Sequence, residues 1–418
     1  MLIQTILNHC HKFKSFVYTK ITLEVVRGAE ALVAEIVPRK NSRGLCSKCR
    51  RPAPTYDHQT SPRLFRFIPL WGIPVHFRYR MRRVHCPAHG VNTEVVPWAQ
   101  GKSPITGAME LFLARWARRL SWKEVAECFE VSWQNVFHSV QSVVEYGLKH
   151  RKFDNITAIG VDEIQYAKGH QYLTVVYQID EGARRLLSVT KDRTVRSFLG
   201  FFRLLTPSQM ASIGFVCSDM WHPYLKVIAK KVPQALNVLD RFHIVANLNK
   251  ALNEIRASEA RRLRQEGYQE VLKHTKYCFL KRRENLTPKQ KLKLTEVLQY
   301  DLKSVRAFLL KESFQIFWNY DSPRWAQWYL KKWCARAMRS RLEPMKKFVK
   351  MIRRHEPLIL NWFHARKAYS SGVVEGLNRK INLTTRKAYG YRSFEVQKIS
   401  LFHTMGKLPE PFSTHRFC

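Results

Sequence analysis

The chain has 418 residues, 45% of them hydrophobic and 12% aromatic, which is enough for several packed domains and excludes a disordered tail. Its 72 Lys and Arg against 32 Asp and Glu leave a formal charge of +40, a field that draws polyanions. No apolar run nears the roughly 18–20 residues that a bilayer span needs, so membrane crossing is excluded and no membrane partner is expected. Charge sets only the partner class: nucleic acid, with a ribosome-like scaffold or a membrane-surface binder still open.

Residues 1–40 read as a strand-rich N-terminal arm. Its early His9, His11, Lys12 and Lys14 break any signal-peptide core, so a soluble, cytoplasmic, nucleoid-associated protein is expected. Residues 41–98 read as a zinc module. Cys46 and Cys49 form one pair, Cys86 and His89 another, each with a two-residue gap, which suits four donors around a tetrahedral Zn²⁺. The segment 64–84 between them is strand-rich, as in a zinc-ribbon-like loop, and Arg43, Lys48, Arg50 and Arg51 beside the knuckles suit DNA backbone contact. The blander reading is two unrelated thiol pairs in a reduced core; nine Cys in a chain this long do not make a disulfide framework.

Residues 99–150 turn to helical periodicity and suggest a helix-turn-helix. Ser121 caps a first helix with Glu124 at the capping-box position, and Val125, Ala126 and Phe129 form its buried stripe. Ser132 caps a second helix, in which Val136, Val140 and Val143 bury while Gln134, Asn135 and His138 are left to meet base edges. An ordinary helical hairpin gives the same texture.

Residues 151–243 alternate as a mixed five-stranded sheet: strands at 157–164, 171–179 and 185–190, a helix at 195–205, then strands at 212–217 and 234–239. Period-two alternation puts Asp162 on the face of Ala158 and Gly160 and Glu163 on the other. Asp219 follows the fourth strand. Asp240 ends the fifth and opens a helix, with His243 one turn on; Asp240 reads equally as an N-cap and His243 as a group for the scissile phosphate or a DNA strand. Residues 244–365 are helical and basic. In the last segment, 366–418, Val374, Leu377 and Ile381 form a helical stripe, and Glu375, Asn378, Arg379, Asn382 and Arg386 fall elsewhere. Gly372 cannot serve as the capping partner of Glu375, so that acid calls for another role.

Cutting a phosphodiester needs an activated nucleophile and a stabilised leaving oxygen, which two Mg²⁺ or Mn²⁺ about 3.5–4 Å apart supply. Such hard cations are held by a few carboxylates, and Asp162, Asp219 and Glu375 together make the smallest such set. Taken singly, each reads more simply as a cap, a surface charge or an ion pair.

At these residues the chain resembles the ISL-three family of bacterial insertion-sequence transposases. The matching stretches are 160–176 with Lys168, Gly169 and His170; Ser218-Asp219-Met220; Asp240-Arg241-Phe242-His243; and Val374-Glu375-Gly376-Leu377-Asn378 running on to Tyr391. The knuckles and the helix-turn-helix follow the family's N-terminal order. The resemblance implies an α/β ribonuclease-H-like core with Asp162, Asp219 and Glu375 as its acidic triad and two divalent ions per site. It also implies that 244–365 is an all-helical insertion, which the 156-residue step from Asp219 to Glu375 requires, and that Asp240 and His243 match an Asp/Cys-x-x-His element. The expected function is binding of terminal inverted repeats, metal-dependent cleavage and transfer of 3′-ends into target DNA. Gln134, Asn135, His138, Asn378, Arg379, Lys380 and Arg386 are the expected DNA contacts, a homo-oligomer the expected assembly, and no organic cofactor is expected. A non-catalytic DNA-binding regulator and a junction nuclease of the same fold are the rival readings.

Overall fold

A computed structural model describes residues 2–412 apart from Lys168, His170, Gln269 and residues 368–371. The chain forms two compact units, residues 1–152 with 383–418 and residues 153–382. Among the described residues no helix is long and apolar enough to cross a membrane.

In the first unit α1 (Ile3–Cys10) precedes two hairpins, β1 (Phe16–Val26) with β2 (Ala29–Pro38), and, after short strands β3 (Gly44–Cys46), β4 (Pro52–Ala53) and β5 (Thr55–His58), β6 (Arg63–Leu70) with β7 (Ile73–Tyr79). Both hairpins turn on two residues of positive φ, Arg27-Gly28 and Trp71-Gly72, the twist that suits tight antiparallel connections. The hairpins join in one sheet of order β1-β2-β7-β6. Residues 1–40 are therefore no separate arm. The inward side chains of β2 find cover only beside β7, in parallel register Leu32 to Val75 and Ala34 to Phe77. Phe65, Phe67, Phe77 and Trp98 complete that core.

With β8 (Arg82–Cys86) and β9 (Gly90–Val95), the short strands form a second sheet, β4-β3-β9-β8-β5. A buried network fastens β8 to β9. Glu94 accepts from the Tyr79 hydroxyl at 2.5 Å and from Arg82 Nε at 2.9 Å, and Arg82 also donates to the Ser42 carbonyl. With both ions buried, each depends on the other's charge and on these extra bonds. Then come α2 (Gly107–Trp116), α3 (Trp122–Cys128) and α4 (Trp133–His150). Ser121 and Glu124 cap α3 reciprocally, and Ser132 caps α4.

The second unit holds a five-stranded sheet of order β12-β11-β10-β13-β14, from β10 (Ala158–Ala167), β11 (Gln171–Gln178), β12 (Arg185–Lys191), β13 (Phe215–Ser218) and β14 (Leu236–Leu239). The first three are antiparallel neighbours; β13 and β14 run parallel to β10. The expected helix at 195–205 is α5 (Val195–Phe202), and a second, short helix that was not expected, α6 (Pro207–Ala211), follows behind a capping box at Thr206. A further helix, α7 (His222–Lys231), lies outside the sequence-based expectation; parallel strands need such a crossover, and Pro223 in its first turn was the available signal. Phe198, Phe201, Phe202 and Tyr224 of α5 and α7 pack with Ile159, Val161 and Val176.

Beyond β14, α8 (Arg241–Gln265), α9 (Lys276–Leu280), α10 (Pro288–Val297), α11 (Lys303–Ile316), α12 (Pro323–Arg339) and α13 (Glu343–His364) form a helical body around Phe308, Phe314, Phe317, Trp333 and Phe348. Buried Glu259 of α8 caps α11, accepting from the amides of Lys303 and Ser304 at 2.8 and 2.7 Å. Asn361 of α13 donates to the Asn237 carbonyl of β14, so the helical body closes back on the sheet.

The next helix, α14 (Gly372–Lys387), begins in the second unit and ends in the first. Its stripe of Val374, Leu377 and Ile381 is buried, as the periodicity predicts. The last helix, α15 (Phe394–Met405), and the chain after it belong to the first unit, not to the core that was expected to hold 366–418. Leu408 lies against Gly147 of α4, and Glu410 pairs with Arg115 and Arg118 at 2.8 and 2.7 Å.

Gly160 sets how near α14 comes to β10. A Cβ there would meet Val374 Cγ2 at 2.4 Å and Ile179 Cγ2 at 3.3 Å. Gly160→Ala is expected to cost about 1–3 kcal/mol in urea unfolding, as overpacking does; an unchanged midpoint would refute this close packing.

Candidate active site and metal centre

Cys46, Cys49, Cys86 and His89 converge, with one donor atom from each within 4.8 Å of the others. The Cys49 and Cys86 sulfurs are 3.7 Å apart, and His89 Nδ1 lies 3.6 Å from Cys86 Sγ and 3.9 Å from Cys46 Sγ. Tetrahedral thiolates at about 2.3 Å from zinc sit about 3.8 Å apart, so the group fits a structural Zn²⁺ and leaves no fifth position for substrate. Amides of Cys49 and Lys48 hold the Cys46 thiol down to about 6, towards the thiolate that binds metal. The thiols come from the knuckles at the ends of β3 and β8, which pairing of both strands with the central β9 holds in place.

In the second unit, three aspartates belong to three adjacent parallel strands, Asp162 within β10, Asp219 just after β13 and Asp240 just after β14. Gly160 pairs with Cys217, and Cys217 with Val238. Two residues further along each strand come Asp162, Asp219 and Asp240, a single row by register. Asp162 faces α14: the Asn378 amide donates to Asp162 Oδ2 at 2.6 Å and accepts from the buried Tyr177 hydroxyl at 2.7 Å. Burial pushes the Asp162 carboxyl up; the Glu163 amide, the His243 charge and Asn378 pull it down, and Asp240 adds to the rise. His243 Nε2 lies 3.7 Å from Asp240 Oδ2, and Asp240 caps α8 by accepting from the Phe242 amide at 2.6 Å. The N-cap reading of Asp240 is thus observed, and His243 lies against the same carboxylate.

Asp219 accepts from the Trp221 amide at 3.0 Å and pairs with Arg193 at 3.3 Å. Arg193 also meets Glu163 at 2.5 Å and lies over the Trp221 ring, with 4.6 Å to its centroid. Burial and Asp219 push Glu163 up to about 7, and Arg193 opposes them. This pair has no signature in the sequence. The basic residue in Thr190-Lys191-Asp192-Arg193 is visible there, but nothing in the order of residues says that it meets Asp219.

Glu375 is half-exposed and pairs with Arg379 at 2.6 Å. It borders a cleft shared with Arg241 and Phe242. Asn378, which bonds Asp162, follows it by three residues on α14, so the two share a face of that helix. The triad acids do not meet at one point: among the described residues only the Cys₃His group brings three or more donors within ligand reach of each other. Each acid has its own partner instead, Asn378, Arg193 or Arg379.

Of the expected DNA contacts, Gln134 and His138 are exposed on α4, and Asn135 is half-buried in its first turn. Trp133, half-exposed, stacks on Phe137 beside them, an aromatic pair at helical spacing that was not among the expected contacts. Arg379, Lys380 and Arg386 are exposed on α14, whereas Asn378 turns inward to Asp162. Lys168 and His170 lie outside the described residues.

The model of the ISL3-type DDE transposase family, described as transposase, matches residues 159–401. A second model, the zinc-finger of transposase IS204/IS1001/IS1096/IS1165, matches residues 42–89. The transposase for insertion sequence element IS1557 of Mycobacterium tuberculosis is 30% identical over 386 residues, covering 87% of this chain and 86% of the relative. The transposase for insertion sequence element IS1001 of Bordetella parapertussis is 27% identical over 354 residues, covering 84% of this chain and 86% of its own.

The metal centre makes a direct prediction. Purified protein should carry one zinc per chain by atomic absorption, and Cys86→Ser should lose it and melt several degrees lower. A full zinc complement in that variant would show that these four residues are not the ligands.

Proposed function

The chain belongs to the ISL3 family of insertion-sequence transposases, and on that premise we propose that Asp162, Asp219 and Glu375 form a two-cation, phosphodiester-cutting centre on a ribonuclease-H-like sheet. The chain is thus a DNA transposase, and its zinc ribbon makes DNA its partner. One observation carries the catalytic assignment: Asp162 and Asp219 each follow by two residues the paired Gly160 and Cys217 of neighbouring parallel strands, and the helix bearing Glu375 is bonded to Asp162 through Asn378.

The donors are hard carboxylate oxygens, which suit Mg²⁺ or Mn²⁺. When bound, two such ions supply activation of the attacking hydroxyl and charge stabilisation of the leaving oxygen. Asp162, Asp219 and Glu375 would hold the two ions, with Asp162 next to Asp219 across the β10–β13 register and tied through Asn378 to the helix that bears Glu375. Asn378 is a positioning residue whose amide fixes the rotamer of Asp162 while the Tyr177 hydroxyl fixes the amide. His243, held against Asp240, would contact the scissile phosphate. Arg193 and Arg379 offset the repulsion among the acids.

The zinc ribbon and the α3–α4 pair bind the terminal inverted repeats, with Gln134, Asn135 and His138 towards base edges. Arg379, Lys380 and Arg386 follow the phosphate track. Cleavage frees 3′-ends for transfer into target DNA, and bringing two ends together calls for a homo-oligomer.

Incubating the protein with Mg²⁺ and DNA carrying the gene's own flanks should give nicks at the element's ends. Asp162→Asn should bind the same DNA within about 3-fold, a change under 1 kcal/mol, and lose cleavage by at least about 10³-fold. Cleavage by Asp162→Asn at the wild-type rate would dismiss the catalytic assignment. Preference for branched DNA regardless of sequence would point to a junction nuclease instead.

A further inference from the structure

A cleft of about 740 Å³ opens in the second unit between the first turns of α8, the stretch from Leu280 to Glu284, α11 and Trp362 of α13, with Glu375 at its border. Four cations, Arg241, Arg282, Arg283 and Lys311, and three acids, Glu284, Glu312 and Glu375, line it. Two of the cations are satisfied within the protein. Arg283 pairs with Glu312 at 3.4 Å. Lys311 donates to the carbonyls of Phe279 and Lys281 at 2.8 and 3.1 Å and meets Glu312 at 3.3 Å.

Arg241 and Arg282 are different. Neither forms an ion pair with any acid among the described residues. Arg241 is held instead on aromatic faces, its guanidinium carbon 4.8 Å from the Trp318 ring centre and 6.0 Å from that of Trp362. Burial and then the charge of Arg282 lower its pKa, so two like charges act on each other at one wall of a cleft. Such repulsion costs stability unless an anion is shared between them. Beside them the Phe242 ring is 58% exposed, an apolar face left in solvent at the cleft wall.

Two uncompensated guanidiniums and an open aromatic ring are the elements of a single-strand site, phosphates on the cations and a base on the ring. The volume is that of a small-ligand site and too small for a duplex. We propose that this cleft binds a single DNA strand, with its phosphates on Arg241 and Arg282 and a base against Phe242, and leads that strand to Glu375. The assignment rests on the transposase reading for the nature of the strand, but binding needs neither cleavage nor a divalent ion.

The test uses the full-length protein in EDTA with a fluorescein-labelled single-stranded oligothymidylate, read by anisotropy from 50 to 200 mM salt. Arg282 is exposed, so Arg282→Ala leaves the fold intact. It should weaken binding and flatten the log–log salt slope by about 0.7, the value of one phosphate contact on a single strand. Phe242→Ala should weaken binding about 5-fold or more at an unchanged slope, the mark of lost stacking. Lys347→Ala/Lys350→Ala, which removes two exposed charges on α13 away from the cleft lining, is the control for net charge and should change both quantities less. The proposal is overturned if Arg282→Ala weakens binding no more than the control, or if Phe242→Ala binds as wild type. Should wild-type protein fail to cut its own flanks while these binding differences hold, the strand site stands and the catalytic reading falls. Normal cutting with no binding difference would remove the strand site and leave the catalytic reading in place.

Discussion

The close approach of α14 to β10 over Gly160 underlies the geometry of the catalytic unit. With no side chain at that position, Val374 settles against the sheet and α14 lies low enough for Asn378 to reach Asp162 at 2.6 Å. A Cβ at Gly160 would lift the helix, and Asn378 and Glu375 would rise with it. The same approach lets the buried Tyr177 hydroxyl fix the Asn378 amide, so one small residue governs a chain of three polar groups that are otherwise costly to bury.

Charge is the second constraint. Acids gathered in the proposed active centre repel one another, and here each is balanced separately: Asp219 and Glu163 by Arg193, Glu375 by Arg379, and Asp162 by the Asn378 amide and the His243 charge. Local neutralisation of this kind holds carboxylates near each other without a shared ligand point. In the cleft beside Glu375, by contrast, Arg241 and Arg282 form no ion pair with an acid among the described residues. A polyanion that brings phosphate to one region and seeks cations in the next fits both.

Much of this was legible in the residue order because it is local or periodic. The knuckles carry their spacing in the sequence, and the four donors meet within 4.8 Å. The Ser121–Glu124 capping box and the Ser132 cap form as their positions predict. Alternation placed Asp162 and Glu163 on opposite faces, and the structure bonds one to α14 and the other to Arg193. Where short-range signals were weak, elements were missed, as with α7, whose apolar stripe is short and whose clearest cue was Pro223.

The amino-acid sequence by itself determined the spacing of the two knuckle pairs, the helix caps and the side of β10 on which Asp162 falls, since each depends on residues within one element or one turn. Tertiary structure alone decided that β2 pairs with β7 and so unites the first 40 residues with the second hairpin. It alone returned residues 383–418 to the N-terminal unit, and it alone turned Asn378 inward while leaving Arg241 and Arg282 to face each other without an acid. The reason is physical: periodicity reports which face of an element is buried, but its partner is chosen by packing and charge between segments far apart in the chain, and no local pattern encodes that choice.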